Sequence, residues 1–116
     1  MKIEGEQQLL RIFINETDEW EGHPLYKVIV EKLRKAHFAG CTVLCGMQGF
    51  GSGRQMHDAR FEILFMDLPI IIEVVETEAK INQMIPELDK MIKVGMMTLE
   101  VVDVEMYRAD SPTPQQ

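Results

Sequence analysis

Apolar residues recur along this chain with two alternating periods. In Leu9-Leu10-Arg11-Ile12-Phe13-Ile14, Leu10, Ile12 and Ile14 share one face of a strand, and Phe13 adds apolar bulk to the other. A polar connector covers 15–23, and Pro24 suits a helix start. Leu25, Val28, Ile29, Leu33 and Ala36 then follow helical spacing, with Lys27, Glu31, Lys32, Arg34 and Lys35 between them. Gly40 is placed to close that helix. A second strand is expected over 41–48, with Cys41, Val43, Cys45 and Met47 on one face and Thr42 and Leu44 on the other. Phe61-Glu62-Ile63-Leu64-Phe65 reads as a short strand or a loop stem, and Leu68-Pro69 punctuates the chain. Ile70-Ile71-Ile72-Glu73-Val74-Val75-Glu76 is a third strand. A second helix over 78–92 carries the stripe Ile81, Met84, Ile85, Leu88, Met91 and Ile92, with Pro86 inside it expected to kink or split it. A fourth strand over 97–108 shifts its apolar phase at Val101-Val102, which suggests a bulge.

The order is β-α-β-loop-β-α-β, the ferredoxin-like α+β arrangement: an antiparallel four-stranded sheet with both helices on one face. A chain of 116 residues predicts one domain over 1–116, with an ordered core at about 8–108 and a frayed tail at 109–116. A lone sheet of this kind would wet its second face and alternate cleanly. Here Phe13 with Ile12, Leu44 with Val43 and Ile71 with Ile70 are apolar on both sides. The second face is therefore expected to be buried, most simply by oligomerisation.

Composition narrows the classes. Net charge is −7, which argues against general binding to nucleic acid or anionic membrane. Any anion must be held by a local basic patch. No apolar run reaches the ~18 residues of a spanning helix, and the first residues lack the apolar core of a signal peptide. A cytoplasmic protein without membrane insertion is the expectation. Cys41 and Cys45 would lie roughly 13 Å apart on one strand, too far for a disulfide, so buried, reduced thiols are expected.

The local basic patch is Gly49-Phe50-Gly51-Ser52-Gly53-Arg54-Gln55-Met56-His57-Asp58-Ala59-Arg60. Three alternate glycines permit close approach of another molecule, and N–H groups beside Arg54 and Arg60 suit an anion such as phosphate. The plain alternative is a solvated hairpin loop. His57 fits either reading, as a phosphate contact or as a solvated loop histidine.

Gly40-Cys41-Thr42-Val43, Gly49-Phe50-Gly51, Arg54-Gln55, His57, Leu68-Pro69, Ile72-Glu73-Val74-Val75 and Asp103-Val104 fall in an order that resembles P-II nitrogen-regulatory proteins. Gly22-His23-Pro24-Leu25-Tyr26, the glycine loop with His57, and Asp67-Leu68-Pro69 resemble more closely a P-II-like group known as domain of unknown function family 190. The resemblance covers about 9–108. It implies a homotrimer whose sheets face a central axis, adenine-nucleotide sites between subunits, and a long loop that carries the signal to a partner protein such as a transporter or an enzyme. The implied ligand site is Gly49, Gly51 and Gly53, whose N–H groups would hold phosphate, together with Arg54, His57, Arg60 and, near the end of the chain, Arg108. P-II proteins carry a phosphate-binding lysine before the last strand; here that stretch is Gly95-Met96-Met97-Thr98-Leu99. AMP or ADP is thus the expected ligand rather than a triphosphate, and no cofactor is required. The tyrosine modified in some P-II proteins is replaced by nothing closer than Phe61.

Other constellations point away from catalysis. No histidine pair has zinc spacing, so no metal site is expected. Both the P-loop sequence and a glycine fingerprint that opens a helix are missing. A Ser52-His57-Asp58 triad would sit on one short loop with nothing to orient it. An enzyme is not expected. His23 reads as support for the first helix start, and His37 as a cation near that helix's end. Met84, Met91, Met96, Met97 and Met106 read as core filler. The competing function is a ligand-free trimeric scaffold, or a metal-tolerance-type protein of the same fold.

Overall fold

The computed structural model describes residues 3–50, 57–58 and 67–110. In chain order the elements are β1 (Gly5–Asn15), β2 (Glu19–Trp20), β3 (His23–Pro24), α1 (Leu25–Lys35), β4 (Thr42–Cys45), β5 (Gln48–Gly49), β6 (His57–Asp58), β7 (Pro69–Glu76), α2 (Glu78–Met91) and β8 (Met96–Val104). The main sheet has the order β4-β7-β1-β8 and every pairing in it is antiparallel. Each helix therefore connects two strands that flank a third, as the ferredoxin-like arrangement requires.

Both helices bury their stripes against one face of this sheet. Leu10, Ile12 and Ile14 of β1 join Ile70, Ile72 and Val74 of β7, Leu25, Ile29 and Leu33 of α1, and Ile81, Met84, Leu88 and Met91 of α2 in one core. Lys32 of α1 reaches Glu87 of α2 at 3.5 Å across the outer side of that layer. The second helix is capped by Thr77, whose hydroxyl accepts the Lys80 N–H at 3.4 Å.

The other sheet face carries no described element. Register places Leu44, Ile71, Phe13 and Met96 side by side across all four strands on that face. The next row is Thr42, Glu73, Arg11 and Thr98. Arg11 holds Glu73 at 2.8 Å and Glu100 at 3.1 Å. An all-apolar row thus lies beside a polar one whose charges are paired.

Several local expectations need correction. Gly40 does not close α1; His37 does, at φ +62°, with Phe38 N–H bonded to Leu33 O and His37 N–H to Arg34 O. This is a Schellman ending in which a histidine takes the left-handed position that glycine usually fills. The β8 bulge is absent: the register runs unbroken from Gly5↔Val104 to Phe13↔Met96. The phase shift in its sequence instead reflects incomplete cover, since Leu99 and Val101 share the helix-side face yet stay exposed. Pro86 lies inside α2 without splitting it. Pro24 is the N-cap of α1 rather than its first residue, and it pairs through β3 with Glu19. β4 is shorter than expected, and β8 ends at Val104 rather than at 108. Met84 and Met91 are buried as expected, but Met96 and Met106 are exposed. Cys45 in the edge strand β4 and Cys41 just before it are exposed rather than members of the core, their thiols only partly covered by neighbouring atoms. The 61–65 stretch and the tail from 111 onward fall outside the described residues.

Candidate functional site

Two features sit at opposite ends of the sheet. At the end where β4 stops and β7 starts, the glycine loop leaves and returns. Gly46 N–H donates to Pro69 O at 2.7 Å, and a Cβ on Gly46 would meet Pro69 Cγ at 2.7 Å. Glycine is thus what lets the two stems close. Glu16 N–H donates to Leu68 O at 2.8 Å, and Thr17 Oγ1 donates to Asp67 Oδ1 at 2.8 Å, which ties the β1 exit to the returning stem. Beyond the stems a second short ladder sets Gly49 opposite His57 and Gln48 opposite Asp58.

The described base of the loop is acidic. Glu16 lies close enough to Cys45 to help burial push that thiol upward, Asp18 Oδ2 accepts the Asn15 N–H at 2.9 Å, and Asp67 lies on the returning stem. Cations for an anion must come from the loop itself or from elsewhere. Gly51, Gly53, Arg54 and Arg60 lie outside the described residues, as does the side chain of His57.

At the other end, where β7 stops and β8 stops, there is a groove of about 310 Å³. Leu9, Val75, Val104 and Tyr107 give it apolar walls, the 39–42 segment forms its rim, and Glu73 is its carboxylate. Arg11 neutralises that carboxylate in part at 2.8 Å. The volume lies at the lower limit of small-molecule sites. Cys41 also lines the groove, and its thiol is pushed up by burial. Arg108 is exposed and follows Tyr107 directly, so it stands at this end of the sheet.

Of the seven residues singled out from the sequence, the structure sets Gly49 and His57 opposite each other and puts Arg108 elsewhere. Ile14 pairs with Ile70 near the loop base, while Gly5 pairs with Val104 near Arg108. Nine strand steps separate them, roughly 30 Å at about 3.3 Å per residue. Within one chain, Arg108 and the loop base cannot share a small ligand. The groove, Tyr107 and Glu76 were missed in the sequence. Glu76 alone left a signal, an acid in phase with buried Ile70, Ile72 and Val74.

Among the described residues, no three His, Cys, Asp or Glu side chains are grouped to hold a metal ion, and no helix is long and apolar enough to cross a membrane.

A ferredoxin-like α+β chain with a glycine loop at one sheet end and an apolar groove at the other is the class defined by this geometry. The chain belongs to the DUF190 family, described as "Uncharacterized ACR", whose pattern matches residues 7–104. It is similar to a UPF0166 protein of Aquifex aeolicus, 33% identical over 98 residues that cover 84% of this chain and 92% of the relative. A UPF0166 protein of Methanocaldococcus jannaschii is 33% identical over 106 residues, 90% of this chain and 94% of its own length. A second Aquifex aeolicus UPF0166 protein is 33% identical over 96 residues, 83% of this chain and 94% of that relative.

Proposed function

We propose that this is a P-II-like regulatory protein: a cytoplasmic homotrimer that binds AMP or ADP between subunits and signals to a partner protein through the 49–60 loop. The observation that carries the reading is the separation of the groove from the loop. Arg108 and the groove stand at one end of the sheet, and the loop stands at the other. A neighbouring copy is what brings the two to one ligand, and the apolar row Leu44-Ile71-Phe13-Met96 on the uncovered face supplies a surface for that neighbour.

In this reading the purine base enters the groove. Its faces meet Leu9, Val75 and Val104, and its edge atoms meet Thr42 and the rim backbone. Glu73 disfavours phosphate inside the groove, so the phosphates point outward to Arg108 and to the neighbour's Gly49, Gly51, Gly53, Arg54, His57 and Arg60. Each charge-assisted hydrogen bond contributes about 1.5–3 kcal/mol net. Three of these with base burial reach the roughly −8 kcal/mol of a micromolar site. Ligand binding then orders the loop and shifts its fit to a partner by as much as the ligand prefers one loop state. The reading requires no catalysis, metal or nucleic acid.

Calorimetry with AMP, ADP and ATP tests it. AMP or ADP is expected to give saturable heat, with Gly51→Ala and Arg54→Ala each weakening the affinity by about tenfold while the oligomer persists, the equivalent of losing one such hydrogen bond. No heat with any of the three leaves the ligand-free scaffold. Unchanged affinity in both variants moves the phosphate site off the loop.

A further inference from the structure

A fully buried carboxylate stands behind the groove. Glu76 ends β7 and has 0% exposure. Its Oε1 accepts the Ala39 N–H at 2.7 Å and its Oε2 accepts the Thr77 N–H at 3.1 Å. A buried ionised group is costly unless it is hydrogen-bonded, and here one oxygen serves each donor. One of these donors is on the groove rim. Ala39 is also held from its other side, because its carbonyl accepts the Tyr107 hydroxyl at 3.4 Å. Tyr107 N–H in turn donates to Glu4 Oε2 at 3.3 Å. A chain of hydrogen bonds therefore runs from the β7–α2 junction through the rim to the segment that carries Arg108.

We propose that Glu76 is the positioning residue of the groove: by fixing the Ala39 backbone it sets where Tyr107 docks, and with it where Arg108 stands. The proposal deepens the nucleotide reading above and rests on it for the identity of the ligand. The residue type follows from the donors. Glutamine has one carbonyl oxygen and would turn its amide N–H₂ toward one of two N–H groups. Aspartate is one methylene shorter, so it pulls back from the α1–β4 connector. The rim is also fastened by Lys80, whose ammonium donates to His37 O at 2.6 Å, but that bond does not reach Tyr107. A preset rim spares the ligand the ordering that a loose one would impose.

The test compares Glu76→Gln with Thr77→Ala, which removes the α2 cap and leaves the carboxylate in place. Residue-resolved hydrogen exchange is the readout that does not depend on any ligand. Glu76→Gln is expected to speed exchange of the Ala39 and Tyr107 amides by tenfold or more, and Thr77→Ala to leave both near their original rates. Titration with AMP and ADP is expected to show about fivefold weaker binding for Glu76→Gln and unaltered binding for Thr77→Ala. If Glu76→Gln does not fold, Tyr107→Phe examines the same chain from its far end, and faster Ala39 exchange is expected there. Ala39 and Tyr107 amides that exchange alike in Glu76→Gln and Thr77→Ala, or an Ala39 rate unmoved in Tyr107→Phe, overturn the proposal. Should the unaltered protein bind no nucleotide, the functional reading falls and the exchange comparison alone decides the role of Glu76.

Discussion

Gly95 and Gly40 show how differently two glycines can be constrained. A Cβ at Gly95 would come within 2.6 Å of Phe13 O and 2.9 Å of Ile92 Cγ2, whereas one at Gly40 would meet nothing within 4 Å. The Phe13 oxygen is backbone in a central strand and cannot move aside. Gly95→Ala is expected to cost at least about 1 kcal/mol, in the range of overpacking, and Gly40→Ala to stay within about 0.5 kcal/mol. Urea denaturation of the two variants checks the contrast. The cysteines give a second residue-scale expectation. Burial raises the Cys41 thiol above its ordinary value, and burial with Glu16 raises Cys45. The thiolate is the reactive form, so alkylation at pH 7–8 should be slower for both than for free cysteine. The rate should climb only as pH passes above the ordinary thiol range. Rapid alkylation of either at neutral pH would contradict the assigned surroundings.

At the scale of elements, the strands and helices of the core were legible because one periodic stripe faced one core. Leu25, Ile29 and Leu33 predicted α1, and Ile81, Met84 and Leu88 predicted α2, because each stripe does pack on the sheet. What misled was local chemistry overridden by context. His37 took the left-handed ending that Gly40 was expected to supply, and the Val101-Val102 phase shift marked an uncovered edge rather than a bulge. The groove could not be read at all, because it draws on residues from both ends of the chain, Ile3 and Tyr107 among them. The glycine loop was legible as a feature, but Gly46, whose N–H closes its stems on Pro69, was not singled out. Pro86 carries a prediction of its own. It lies in the ninth position of α2 and has no N–H for the carbonyl four residues back. Pro86→Ala should restore that bond and raise stability, by as much as about 3 kcal/mol. A lower urea midpoint in this variant would mean that the proline ring packs better than the bond it removes.

For the whole molecule, the uncovered sheet face matters most. Its apolar row is flanked by the Arg11-Glu73-Glu100 cluster, so a neighbour that covers it must leave those charges paired. Ile71 lies at the middle of the row, between Leu44 and Phe13, and outside the helix-side core. A charge placed there is costly only if the face is buried. Ile71→Asp should therefore yield folded single chains, with the helical circular dichroism of the unaltered protein and no nucleotide binding.

Light scattering of the unaltered protein at working concentration examines the assembly itself. The account predicts a particle of three times the 13.4 kDa chain mass, and a single-chain mass would leave groove and loop at opposite ends of one sheet with no neighbour to join them, and contradict it.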